Sequence, residues 1–141
     1  MTGYNKILNT IETQLKKDPY CKTVTEGSIF NIGLEKQAIY PIGHVEIYGL
    51  RSDGAAHTYS VAVICMDIVK SDYSNEKDVI QTQAAVCMRL SETMKRGDLF
   101  KDKYQMNLDE SYEFFRDKYE HAVAGCTLTF SVTVPNEITF R

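Results

Sequence analysis

Nowhere does the chain carry an apolar run long enough to cross a bilayer. The longest, Val61-Ala62-Val63-Ile64-Cys65-Met66, is a fraction of the ~20 residues that a spanning helix needs. The first residues, Met1-Thr2-Gly3-Tyr4-Asn5-Lys6, lack the apolar core of a secretory signal, so the expectation is a protein made and used in a soluble compartment, with no membrane partner. Charge of one sign is not gathered either. The 16 basic and 19 acidic residues are interspersed, and the net charge of −3 comes without the Lys/Arg cluster that displaces counterions from phosphate. That argues against a nucleic-acid-binding footprint and favours a solvated surface of mixed charge.

The 4 cysteines, Cys21, Cys65, Cys87 and Cys126, stand far apart, with no C-x-x-C pair and no histidine at metal-ligand spacing. They read as reduced core thiols. No G-x-S-x-G, H-E-x-x-H, phosphate-cradling glycine loop or dinucleotide fingerprint occurs, so no catalytic residue, cofactor or metal is assigned. Internal repeats and low-complexity segments are missing as well.

What is present is an ordinary globular composition, 43% hydrophobic and 25% charged over 141 residues. A chain of this length buries roughly 68% of its unfolded surface, enough for one core, so residues 1–141 are read as a single domain. In residues 4–16, Tyr4, Ile7, Leu8, Ile11 and Leu15 recur at helical steps and define one apolar face. Asp18-Pro19 stops that helix, because proline disfavours the helical region for the residue before it. Residues 20–41 look irregular, with short extended pieces at 23–25 and 28–30. Residues 44–50 and 57–70 flank Asp53-Gly54, a hairpin-turn signal, and should pair antiparallel. The second of these is apolar on both faces toward its C-terminal end and reads as a central strand.

A second helix starts after Asn75, which can cap it, and carries Glu76 and Asp78 in its first turn. Val79, Gln83, Val86, Cys87, Leu90 and Met94 form its stripe until Lys95-Arg96-Gly97 ends it. Residues 98–119 are charged and aromatic and admit either an extended excursion or one more short strand with a loop. In the last strand Cys126, Leu128, Phe130, Val132 and Val134 point to the core. Thr127, Thr129, Ser131 and Thr133 point to water or to a neighbouring subunit. The expected fold is α+β: an antiparallel (mixed) sheet of about four strands with two helices packed on one face.

Two groups of residues invite a chemical reading. His44, His57 and His121 lie in separate segments, and structural or surface roles fit them better than catalysis. Glu110, Glu113, Asp117 and Glu120 are close enough in sequence to be paired acids, although Lys103, Arg116 and Lys118 make a mixed-charge loop the plainer interpretation. The aromatics of the same region, Phe100, Tyr104, Tyr112, Phe114, Phe115 and Tyr119, either cover the sheet or anchor a subunit contact.

Read in order, several phrases resemble a known family. They are the first helix leading into Asp18-Pro19-Tyr20, then Thr23-Val24-Thr25-Glu26-Gly27 and Tyr40-Pro41-Ile42-Gly43-His44-Val45. Met66-Asp67-Ile68-Val69, Asn75-Glu76-Lys77-Asp78-Val79 and Ala124-Gly125-Cys126-Thr127-Leu128-Thr129-Phe130 through Val134-Pro135-Asn136 follow. The set is similar to the small tail and neck proteins of phages infecting Bacteroidota, including the crAss-like phages, whose fold is that of the tail terminator. One difference is Cys126, which stands where a bulky aromatic is expected.

The resemblance implies a non-enzymatic virion structural protein, assembled in the host cytoplasm into a homo-oligomeric ring of six or twelve copies at the head-tail junction or tail end. Its partners would be itself and portal, connector or tail-tube proteins, with DNA passing through the ring and no sequence-specific contact. A compact domain of this length has a radius of gyration of about 14 Å and a diameter of roughly 37 Å. Six such bodies leave an opening of ~37 Å, wide enough for duplex DNA, and twelve leave ~105 Å, so a dodecamer would belt another component. Two other readings stay open: a small cellular α+β enzyme using the carboxylates of residues 110–120, and a ligand-binding module lined by the Tyr and Phe set.

Overall fold

The computed structural model describes residues 3–27, 40–70, 72–96, 104–118 and 123–135. The first helix, α1 (Gly3–Lys17), buries Ile7, Ile11 and Leu15 as the spacing predicts. Full burial of each such side chain contributes about 1.5–3 kcal/mol. Tyr4 departs from expectation: it is 38% exposed, and Gly3 is the buried residue, seated so close to the Tyr59 ring that a Cβ would lie 3.0 Å from it. At the helix end the Asp18 carboxylate accepts from the Tyr20 amide at 3.0 Å, which turns the chain. Arg89 also donates to both its oxygens, at 2.8 and 3.0 Å. Burial opposes the Asp18 charge, but these bonds and the Arg89 charge outweigh it and hold the carboxyl below its ordinary value.

Among the described residues six strands form one mixed sheet, against the about four that the sequence predicts. They are β1 (Thr23–Glu26), β2 (Ile42–Ser52), β3 (Ala56–Ile68), β4 (Gln105–Met106), β5 (Ser111–Lys118) and β6 (Val123–Pro135), in the spatial order β1-β2-β3-β6-β4 with β5 also on β6. The additional strands come from the two segments whose pattern was ambiguous. The extended piece near Thr23 pairs parallel with β2. The unassigned aromatic segment supplies β4 and β5. The other extended piece, residues 28–30, lies outside the described residues.

The β2–β3 hairpin closes where Asp53-Gly54 predicts. Gly54 takes φ 93°, which an L side chain rarely tolerates, and the Asp53 carboxylate accepts from the amides of Ala55 and Ala56. The second helix, α2 (Glu76–Arg96), buries Val79, Gln83, Val86, Cys87, Leu90 and Met94, the expected stripe. Asn75 does not cap it with its side chain. Its amide instead accepts from the Lys70 N–H at 2.8 Å and donates to the Ile68 carbonyl at 3.2 Å, tying the end of β3 to the helix start. Both helices lie on one face of the sheet, where their apolar side chains join Val61, Val63, Cys65, Cys126, Leu128 and Phe130 in the main core. A smaller cluster of Ile42, Ile64, Met66, Phe115 and Val123 occupies one end of the opposite face. The central strand β3 is therefore covered on both sides toward its C-terminal end, as its apolar pattern predicts.

Candidate functional site

Alternation along β5 separates the side chains that the sequence places together. Tyr112 and Phe114 stand opposite Leu128 and Cys126 and point to the helix-covered face, whereas Glu113 stands opposite Thr127 and points away. Glu110, just before the strand, accepts hydrogen bonds from Ser91 and from Tyr112 (3.1 Å) and forms an ion pair with Lys95. Burial opposes the Glu110 charge; Lys95, Ser91 and Tyr112 overcome it and hold the carboxyl below its ordinary value. Glu110 thus fastens the strand to the last turn of α2, and it is not paired with Glu113. Glu120 lies outside the described residues, as do Phe100, Lys103 and Tyr119. Of the remaining aromatics, Tyr104 and Phe115 are buried and cover the sheet, while Phe114 is 57% exposed.

Beside Phe114 lies a groove of about 340 Å³ between β5 and α2, floored by Ile80, Ala84 and Met88 and rimmed by Lys77 and Arg116. Arg116 is anchored by Glu76 at 2.8 Å. The sequence reading does not find this groove. Its one signal is Met88, an apolar residue off the buried stripe of α2 and 49% exposed.

The histidines do not converge. His44 is buried on the face away from the helices, where Thr25 Oγ1 lies 2.7 Å from Nδ1 and the Gly27 carbonyl lies 3.0 Å from Nε2. The pattern fits a neutral ring that donates from Nε2 to Gly27 and accepts from Thr25. Burial pushes its pKa down, against the pull of the Gly27 bond, Glu46 and Glu26. His57, opposite Val134, points to the other face, and both its ring nitrogens are buried without a hydrogen bond. His121 lies outside the described residues.

All four cysteines are buried and free. Cys65 and Cys126 face each other across β3 and β6, and the Cys87 thiol from α2 reaches the Cys126 carbonyl at 3.7 Å. Burial and the coulombic effect of Asp18 push Cys21 up to about 11. A hydrogen bond from Cys87 and burial push Cys126 up, and Cys87 also lies well above its ordinary value. Thiols held protonated this way are packing groups, not nucleophiles. Among the described residues no three His, Cys, Asp or Glu side chains are grouped so as to hold a metal ion. No described helix is long and apolar enough to cross a membrane.

The face of β6 turned from the helices is a hydroxyl ladder, as its alternation predicts. Thr127, Thr129 and Thr133 are half-buried, and the turn before β5 braces the rest. Asp109 accepts from the Ser131 hydroxyl at 2.8 Å and its amide at 3.2 Å, and Asn107 donates to Ser131 and Thr133 at 2.8 and 3.0 Å. On the far side of the sheet the outer half of β2 carries another exposed set. A bulge between Ile47 and Gly49 sets Tyr48 outward at 57% exposure, and Leu50 is 58% exposed. Large apolar side chains are therefore exposed on both flanks of the sheet. No protein-family model and no curated protein matches the chain.

Proposed function

We propose that this protein is a virion structural protein that forms a ring at the phage head-tail junction or tail end, a tail terminator or a neck or connector ring. The observation that carries the reading is the ordered set of tail-terminator-like phrases running from the first helix to Pro135-Asn136. The placement of these phrases adds support. They occupy the end of α1, the paired strands β1 and β2, the β3 end clamped by Asn75, and β6 at the middle of the sheet, so the resemblance falls on the framework of the fold. Exposed Tyr48 and Leu50 on one flank, with Phe114 and Met88 on the other, suit a body that meets a neighbour on each side. In this reading the copies join portal or connector to tail, and the mildly acidic charge does not retard DNA passing through.

Light scattering across a concentration series tests this. The expected result is a closed species of six or twelve copies, or association with purified portal or tail components. A monomer at every concentration that binds none of them would contradict it. A ligand-binding module is the second reading, favoured by the groove beside Phe114; a small molecule retained by the purified protein in native mass spectrometry would support it instead.

A further inference from the structure

The sheet ends on different strands at its two sides. On one side β1 covers β2 only along residues 42–45, and no described strand flanks residues 47–52. On the other, no described strand lies beyond β5. Strand directions follow from the pairings: β2 and β6 run one way, β3 and β5 the other. Copies related by rotation about a ring axis present these directions unchanged. The β5 side of one copy therefore meets the β2 side of the next as an antiparallel pair, a head-to-tail contact that closes only as a ring.

Resting on the ring reading above, we infer that residues 50–52 of one copy pair antiparallel with the 112–114 stretch of the next, in the register that sets Leu50 opposite Phe114 and Arg51 opposite Glu113. Face parity permits this register. Leu50 stands opposite Tyr59 and Phe114 opposite Cys126, so both point to the helix-covered side. Arg51 stands opposite Thr58 and Glu113 opposite Thr127, so both point to the other side. One register thus matches two exposed apolar side chains and two exposed opposite charges, and Arg51 and Glu113 make no ion pair among the described residues. Leu50 of the incoming copy would also cover the mouth of the groove that Phe114 and Met88 line. Phe114 and Leu50 leave water together, and the charges gain a cross-strand partner that the described residues of the monomer do not supply.

The test is a charge swap read by light scattering, with thermal melts to show that each variant folds. Arg51→Glu or Glu113→Arg alone places like charges opposite each other, so the dissociation constant of the assembly should rise by roughly tenfold or more. The double variant should recover wild-type assembly. If the wild type assembles and either single variant assembles equally well, the contact is overturned while the ring reading stands. If the single variants fail and the double variant does not recover, the register is overturned. A wild type that stays monomeric overturns this contact, and it overturns the ring reading as well if it also binds no purified portal or tail component.

Discussion

His44 shows how one residue can tie the fold to pH. Its ring is buried, hydrogen-bonded at both nitrogens as the neutral form, and held below its ordinary pKa of 6.5 mainly by burial. An unfolded chain takes up the proton first, so the stabilising effect is complete above pH 6.5 and is lost as pH falls below it toward the lowered folded value. Thermal melts of the wild type should therefore shift downward between pH 7.5 and pH 5. His44→Gln keeps a donor and an acceptor but does not titrate; it should cost about 1 kcal/mol at pH 7.5 and flatten the dependence over that range. An equal slope in both proteins would show that other groups set it. The sequence leaves His44 open between a structural and a surface role, because Thr25 and Gly27 reach it only through the parallel β1–β2 pairing.

The elements differ in how far their patterns reveal them. Both helices and β6 follow from periodicity, since each writes its apolar face into the sequence, and the hairpin follows from the Asp53-Gly54 turn signal. The strands β4 and β5 stay ambiguous in the sequence for a physical reason: β4 has two residues, and in β5 adjacent Phe114 and Phe115 point to opposite faces, which breaks a clean apolar alternation. Short β1 has four residues and none fully buried. Asn75 misled in the same way, because capping propensity is local and its clamp on Ile68 and Lys70 is tertiary. The junction of β3 and β6 carries a sharper constraint. A Cβ on Gly125 would stand 1.9 Å from the Cys65 carbonyl oxygen, and backbone cannot swing aside as a side chain can. Gly125→Ala should destabilise the protein by about 2–4 kcal/mol in urea unfolding; a loss under about 0.5 kcal/mol would mean that the strands separate easily.

At the scale of the whole molecule, the helices close one face of the sheet, and among the described residues the hairpin flank and the β5 flank expose large apolar side chains. Of the flank residues the sequence singles out only Phe114, as one of the aromatics that cover the sheet or anchor a contact; Tyr48, Leu50 and Met88 carry no such mark, because a residue exposed for a partner and one exposed to water look alike until the fold places them side by side. The aromatic segment was open between covering the sheet and anchoring a contact, and the strand divides the two: Phe115 covers, Phe114 stands outward beside Met88. The central claim is that copies of this body surround the axis of a virus particle. Electron microscopy of intact particles, with this chain located in the density, tests it most directly. The account predicts a closed ring of six or twelve copies on the axis between capsid and tail, or capping the tail tube. Particles that lack the chain, or that hold it singly and off the axis, would contradict it.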